Sequence, residues 1–308
     1  MSGPDVVAKV SLEAALPAHA VSPHPLGRRL RDQVRQLLRN PAALVGGLVF
    51  LLIVLGGILA PLLSSYDPIA QDTPNRLKGI SAAHWLGTDD FGRDIFTRLL
   101  YGSQTVLLVA FVSIAFALAV GTLLGTLAGY RGGRLEGLVM RTMDVMLSFP
   151  LMLLSIIIVV VLGPGVLNLI LAIGISQVPL FTRLARALTL AVRTRDFVQA
   201  AAGFGADDAR ILARHVLPNI AAPLVVQATT TMSLAILNAA SLNFLGLGIQ
   251  PPSPDWGAMV SDFRRFVFDR PELPLYPGAA IAITVLGLNL LGDGLIDLVD
   301  PTARKNLA

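Results

Sequence analysis

The sequence predicts an all-α polytopic membrane protein with six transmembrane helices, and both its composition and its apolar segments support this fold class. Of the 308 residues, 54% are hydrophobic and 14% are charged, whereas a typical soluble domain has about 25% charged residues. A helix needs about 20 mostly apolar residues to cross a hydrocarbon core of about 30 Å. The stretches that meet this requirement are residues 42–63, 105–129, 139–162, 166–184, 220–247 and 277–299.

Basic residues are distributed unevenly between the segments that connect these stretches. If the N-terminus is cytoplasmic, the cytoplasmic segments hold 17 of the 24 Lys and Arg residues, and the opposite side holds the other seven. Segments rich in Lys and Arg remain preferentially in the cytoplasm. We therefore expect both termini to be cytoplasmic.

This topology divides the chain into consecutive parts. Apolar residues at helical spacing between arginines in residues 28–39 predict an amphipathic helix on the membrane surface ahead of the first span. The predicted parts are a cytoplasmic tail with this helix (1–41), the first span (42–63), a periplasmic loop (64–104), a core with five spans (105–299) that includes a cytoplasmic loop (194–219) and a second periplasmic loop (248–276), and a cytoplasmic tail (300–308).

The composition also excludes several kinds of chemistry. There are no cysteines, which excludes disulfides, thiolate catalysis and Cys-ligated metals. The four histidines are scattered, so we expect no metal site. The net charge of +4 comes from arginines at the ends of apolar runs, which argues against nucleic-acid binding. No phosphate-binding GxxxxGK[ST] loop is present, so we predict no catalytic residues and no ATP hydrolysis by this chain alone.

The cytoplasmic loop has the pattern of a helix, a glycine turn and a second helix. Small and apolar residues from Val198 to Gly205 recur at helical spacing, which gives that helix a face able to pack closely. Gly205 permits a sharp turn, and Asp207 or Asp208 can cap the second helix. The spacing alone is compatible with a capped interhelical loop or with an attachment site for another subunit.

The first periplasmic loop carries a run of charged residues, HWLGTDDFGRD, from His84 to Asp94. Clustered carboxylates of this kind occur in cation sites, in proton relays and in internally salt-bridged caps. Because the carboxylates alternate with Arg93 and Arg98, and no calcium-loop spacing of oxygen ligands is present, the pattern favours a cap.

Two of these segments resemble known motifs. Gln199-Ala200-Ala201, Gly205 and Val216-Leu217-Pro218 resemble the EAA loop of ATP-binding-cassette (ABC) importer permeases, except that Gln199 stands where the motif has Glu. The run at 84–94 resembles the HxLGTDxxGRD signature of C-type permeases of dipeptide, oligopeptide and nickel importers. Residues 244–257 and 290–301 are also similar to that subfamily, and the resemblance extends over residues 30–305.

The resemblance implies a type I (MetI-like) importer permease of the bacterial inner membrane, without a cofactor of its own. The implied partners are a homologous B-type permease, one or two ATPase subunits that bind ATP and Mg, a solute-binding protein and membrane lipid. The residues implied for the ATPase-coupling loop are Phe197, Gln199, Ala200, Ala201, Phe204, Gly205, Asp207, Arg210, Leu217 and Pro218. Those implied for the periplasmic motif are His84, Gly87, Thr88, Asp89, Gly92, Arg93 and Asp94.

Polar residues within the predicted spans raise further expectations. Polar side chains are costly against lipid and tend to face a protein interior or a water-filled cavity. The candidates for lining the pathway, all on the fifth span, are Gln227, Thr230, Ser233 and Asn238. Gly121, Gly125 and Gly129 permit close helix packing, either within this chain or with the partner permease.

Acidic residues at the inner end of the last span, Asp293, Asp297 and Asp300, share one helical face. We expect this face to pair with arginine, with a proton pathway as the alternative. A carrier driven by ions through Asp144 or Asp293 is therefore the main alternative function. A membrane enzyme is a further class, but no nucleophile–base pair supports it.

Overall fold

The computed structural model describes residues 40–299. The predicted amphipathic helix before residue 40 and the predicted tail 300–308 lie outside the described residues. Between residues 40 and 299 the backbone is helical or irregular, apart from one antiparallel bridge between Thr88 and Asp94. The α-helices are α1 (Pro41–Ile58), α2 (Ala60–Leu63), α3 (Ile95–Arg131), α4 (Gly133–Leu147), α5 (Leu151–Leu162), α6 (Val166–Arg193), α7 (Asp196–Gly203), α8 (Asp208–Ile211), α9 (Leu217–Phe244), α10 (Trp256–Phe263) and α11 (Glu272–Val299).

Five helical segments are long and apolar enough to cross a membrane, and these are α1, α3, α6, the continuous segment Asp208–Phe244, and α11. A sixth crossing requires α4 and α5 together, and these two helices are bent by 94° relative to each other. The predicted stretch 139–162 is therefore not one straight helix. Pro150 explains the break, because proline lacks a backbone N–H and disfavours helical geometry in the residue before it.

The bundle has two ends. Residues 64–94 and α10 lie at the end where α3 begins, and we call this the 64–94 end. Residues 194–216 lie at the end where α3 finishes, and we call this the 194–216 end. Arg193 joins the ends of α6 and α3 here, because its Nη1 donates to the carbonyls of Gly129 (3.0 Å) and Tyr130 (2.9 Å).

The glycine series on α3 packs against α6 of the same chain. A Cβ atom on Gly121 would lie 2.6 Å from Cβ of Phe181, and one on Gly125 would lie 2.2 Å from the carbonyl oxygen of Thr182. Gly129 faces α6 in the same way. These distances leave no room for a side chain. The glycine series therefore packs two helices of this chain together, which is the first of the two alternatives given by the sequence.

Within residues 40–299, the acidic face of the last helix contacts an asparagine. Asn40 caps α1 by accepting hydrogen bonds from the backbone of Ala42 and Ala43, and its Nδ2 donates to Oδ2 of Asp297 at 3.0 Å. No Lys or Arg within residues 40–299 forms an ion pair with Asp293 or Asp297. Asp300 and the arginines before residue 40 lie outside the described residues, so pairing of this face with arginine stays a prediction.

Candidate functional site

The loop at the 194–216 end folds as two helices joined by a glycine turn. Helix α7 ends at Gly203, and Gly205 has a positive φ of +80°, which non-glycine residues rarely adopt. The N–H groups of Gly205 and Ala206 donate to the carbonyls of Ala202 (2.9 Å) and Ala201 (3.1 Å), which is the Schellman arrangement of a helix C-terminus.

The second helix of this loop continues without a break into α9. Oδ1 of Asp207 accepts a hydrogen bond of 2.7 Å from the backbone of Arg210, so Asp207 is the cap. A π-helical turn, Leu212–Val216, then leads into α9. Pro218 accounts for this wide turn, because proline cannot donate to the carbonyl four residues earlier and its ring clashes with that group.

The side chains of this loop divide into buried anchors and exposed groups. Val198, Ile211 and Val216 are at most 3% exposed and fix the loop to the bundle. Phe204, at the turn, is 92% exposed, and Phe197 is 42% exposed. Because Phe204 is almost fully exposed, its side chain has no packing role within residues 40–299.

Gln199, the departure from the motif, uses its amide locally. Its Nε2 donates to the carbonyl of Thr194 at 3.1 Å, five residues earlier, where α6 has just ended. The remaining residues of the predicted coupling set are exposed or half-buried, and these are Ala200, Ala201, Arg210, Leu217 and Pro218.

The charged run at the 64–94 end forms a buried, internally paired cap. Oδ2 of Asp89, which is 0% exposed, accepts from Nε of Arg93 at 2.6 Å, and Arg98 approaches the same oxygen at 3.7 Å. Nδ1 of His84 lies 3.0 Å from Oδ2 of Asp94. Asp94 also caps α3, so the run fixes the start of that helix.

The tight turns of this run depend on its glycines and on Thr88. Gly87 and Gly92 both have positive φ, and a Cβ on Gly92 would lie 1.8 Å from the carbonyl oxygen of Asp72. Oγ1 of Thr88 accepts from the backbone of Lys78 at 2.9 Å. Within residues 40–299, no group of three or more His, Asp and Glu side chains is arranged to hold a metal ion.

Contacts between this cap and the segment near α10 were not apparent from the sequence. Arg265 forms an ion pair with the buried Asp90. Nη1 of Arg98 donates to the carbonyls of Pro68 (2.8 Å) and Pro252 (3.3 Å). These partners lie up to 175 residues apart along the chain. No local sequence pattern predicts contacts between residues so far apart.

Asp255 is a second buried carboxylate at this end. It is 0% exposed and caps α10 by accepting from the backbone of Ala258 at 3.0 Å. Burial raises the pKa of Asp255 to about 6, although the hydrogen bond from the backbone of Ala258 acts in the opposite direction.

The four polar residues predicted to line a pathway do not form one cluster. Nε2 of Gln227 donates to Oγ1 of Thr231 (3.1 Å) and, at a longer distance of 3.4 Å, to Oγ1 of Thr230, both within α9. Oγ of Ser233 donates to Oδ1 of Asn289 on α11 at 2.6 Å.

Asn238 belongs to a separate network that joins three helices. Its Nδ2 donates to Oγ of Ser155 on α5 at 3.0 Å, and that hydroxyl donates to Oγ of Ser176 on α6, also at 3.0 Å. Asn289, Ser155 and Ser176 were not among the residues predicted from the sequence. A polar residue on an otherwise apolar span was the available signal for each.

Comparison with known proteins agrees with this architecture. The family described as "Binding-protein-dependent transport system inner membrane component" matches residues 121–305. A second family, "N-terminal TM domain of oligopeptide transport permease C", matches residues 29–79.

Two relatives and one solved structure illustrate the similarity. The dipeptide transport system permease protein DppC of Alkalihalophilus pseudofirmus is 47% identical over 89% of this chain and 90% of its own length. The glutathione transport system permease protein GsiD of Pectobacterium atrosepticum is 41% identical over 89% and 92%. A chain of the inward-facing MetNI methionine ABC transporter is 20% identical and superposes with a TM-score of 0.54, covering 66% of this chain and 96% of that one.

The structural match confirms the predicted importer-permease fold, and the sequence matches confirm a multi-pass protein of the bacterial inner membrane. The chain therefore belongs to the family of binding-protein-dependent transport system inner membrane components, the permease subunits of ABC importers.

Proposed function

We propose that this chain is the C-type permease subunit of an importer for dipeptides, oligopeptides or a related small solute. The names of its relatives support this solute class, since one belongs to a dipeptide system and another to a glutathione system. In this proposal a B-type permease completes the pathway, and a solute-binding protein delivers the solute from outside.

The same proposal assigns the 194–216 end to the cytoplasm, where one or two ATPase subunits that bind ATP and Mg contact the loop. The exposed Phe204 carries this assignment. Large aromatic side chains that fill a partner's pocket often dominate binding energy at protein interfaces. Phe204 is 92% exposed, so it is available to a partner without any rearrangement of the loop.

The connection to α9 explains how movement of the loop would reach the membrane. The segment from Asp208 to Phe244 is one continuous helical unit, and Ile211 and Val216 anchor its start in the bundle. A displacement applied near Phe204 would therefore move α9 as a rigid element. This is the step that would couple ATP hydrolysis to opening of the pathway.

An aromatic residue at the opposite end provides a matched control for a test. Phe268 is 95% exposed and lies between α10 and α11, at the 64–94 end. In the assembled importer, Phe204→Ala is expected to weaken association with the ATPase by about 30-fold, the factor that corresponds to a hot-spot residue of about 2 kcal/mol.

Phe268→Ala is expected to leave ATPase association unchanged. Association can be measured by titrating purified ATPase against the permease pair in lipid nanodiscs. Equal affinities for the Phe204→Ala and Phe268→Ala variants would refute the assignment of the loop as the ATPase contact.

A further inference from the structure

An exposed amide lies near the middle of a membrane-spanning helix. Asn289 is on α11, in the span Glu272–Asp297, and its side chain is exposed. A polar group that faces hydrocarbon without a hydrogen-bond partner costs several kcal/mol. Direct contact of the Asn289 amide with lipid tails is therefore unfavourable.

Asn289 is held in place by the neighbouring helix. Oγ of Ser233 donates to Oδ1 of Asn289 at 2.6 Å. One turn further along, a Cβ on Gly292 would lie 2.7 Å from Cγ2 of Thr230. Moving from Asn289 to Gly292 on α11 corresponds to moving back from Ser233 to Thr230 on α9. The two helices therefore run antiparallel and lie almost in contact here.

The Ser233 contact uses only the acceptor side of the Asn289 amide. Its Nδ2 carries two N–H groups, and no acceptor for them occurs among the residues that the structure describes. The amide is thus oriented by Ser233 while its donors remain available. A solute that contains carbonyl groups, such as a peptide backbone, offers the complementary acceptors.

A second exposed polar residue of α11 lies closer to the 194–216 end. Asp293, one turn after Asn289, is also exposed, and within residues 40–299 it has no Lys or Arg at ion-pair distance. A carboxylate in a membrane span requires water or a cationic partner. A water-filled passage satisfies the carboxylate and the amide together, whereas a dry interface with another subunit leaves both to be compensated separately.

We propose that the face of α11 carrying Asn289 and Asp293 lines the water-filled passage of the importer, and that the Nδ2 donors of Asn289 bind backbone carbonyls of the passing solute. The assignment of a peptide solute rests on the proposed function. The exposure of this face to water does not depend on which solute is carried.

The absence of cysteine from the chain permits a direct test of water exposure. Asn289→Cys and Asp293→Cys are placed singly in the assembled importer in membrane vesicles and treated with a charged, membrane-impermeant maleimide. Labelling of this chain is followed by mass spectrometry. Thiols react as thiolates, so a cysteine in hydrocarbon or in a dry interface reacts slowly.

The control is Leu48→Cys, at the middle of α1, where the native leucine is 57% exposed. We expect both Asn289→Cys and Asp293→Cys to react at least about tenfold faster than this control, because the thiolate forms in water. Reaction at the control rate would overturn the proposal and would indicate that lipid or another subunit covers this face. That result would leave the ATPase assignment of Phe204 untouched, since ATPase titration measures it separately.

Contact with solute is tested by transport of tritiated alanyl-alanine, with tritiated glutathione as a second probe. Asn289→Leu removes the donors, and we expect KM for uptake to rise about tenfold while ATPase association stays unchanged. Leu48→Ala, at the control position on α1, is expected to change KM less than twofold. Equal KM values for the Asn289→Leu variant and the unmodified chain would refute the solute contact. If the unmodified importer transports neither probe, the proposed solute class is wrong, and the labelling result still decides whether this face is wet.

Discussion

Nε of Arg93 lies 2.6 Å from Oδ2 of Asp89, and both side chains are at most 5% exposed. The same carboxylate also accepts backbone hydrogen bonds from Phe91 and Arg93 through Oδ1. One buried carboxylate therefore organises the turn that precedes α3. Buried ion pairs contribute little over an apolar replacement, but removal of a single partner leaves an uncompensated charge.

Removal of Arg93 should therefore destabilise the protein strongly. We expect Arg93→Ala to lower the free energy of unfolding by about 3–5 kcal/mol, because Asp89 is left buried with weaker compensation from Arg98. Arg76→Ala is the control, since Arg76 is exposed and forms no ion pair within residues 40–299. Thermal unfolding in detergent, followed by size-exclusion chromatography, measures both. Similar losses in the two variants would contradict a structural role for the Asp89–Arg93 pair.

Asp255 makes stability depend on pH. Because burial raises the pKa of Asp255 from 3.8 to about 6, the folded protein binds this proton more tightly than the unfolded chain does. The stabilisation is complete below about pH 4 and is lost as pH rises through 6. Between pH 5 and pH 8, the loss amounts to about 1–2 kcal/mol.

Asp255→Asn tests this dependence, since asparagine is also a good helix cap and does not titrate. We expect the stability of the variant, relative to the unmodified protein, to be greater at pH 8 than at pH 5. Thermal unfolding of both proteins across this range is the measurement. Burial also raises the pKa of Asp262, but this group is present in both proteins and cancels in the difference. Parallel curves would show that Asp255 does not titrate in this range.

Packing between α3 and α6 should tolerate no side chain at Gly125. A Cβ there would lie 2.2 Å from the carbonyl oxygen of Thr182, so Gly125→Ala forces the helices apart and should cost about 1–3 kcal/mol or more. Gly137 is the matched control on α4, because nothing lies within 4 Å of its added Cβ. Gly137→Ala should stabilise by up to about 1 kcal/mol through helix propensity. A neutral effect of Gly125→Ala on thermal unfolding would contradict the close α3–α6 contact.

The turn at Gly205 should rank substitutions by backbone preference. Its φ of +80° strains any side chain, while nothing lies within 4 Å of an added Cβ, so conformational strain alone decides the order. Asparagine tolerates positive φ best and β-branched residues tolerate it least. We expect Gly205→Asn to weaken ATPase association least, Gly205→Ala to weaken it more, and Gly205→Val to weaken it most. An equal effect of Asn and Val would indicate that contact with the partner, and not the turn geometry, sets the requirement.

The sequence predicted those features that depend on local chemistry. Apolar length located the spans, because crossing hydrocarbon imposes a minimum on any helix. The turn at Gly205 and the cap at Asp207 followed from the backbone preferences of those two residues. The bend near Pro150 was not predicted. The segments on both sides of this proline are apolar enough to be read as one continuous span.

Pairs that are distant along the chain could not be predicted. The ion pair between Asp90 and Arg265 joins residues 175 positions apart, and the contact between Asn40 and Asp297 joins residues 257 apart. Such contacts depend on how whole helices pack. The contact of Asp297 with Asn40 was not predicted, because helical spacing places residues on a face without indicating what that face meets.

The bend between α4 and α5 has a consequence for the two leaflets of the membrane. Helix α5 has 12 residues and is about 18 Å long, little more than one leaflet of a hydrocarbon core of about 30 Å. The exposed residues of α4 include the apolar Leu138 and Val145 and the charged Arg141. A sixth crossing built from α4 and α5 would therefore present an apolar helix to one leaflet and an amphipathic helix to the other, so that lipids in the two leaflets would contact different protein surfaces.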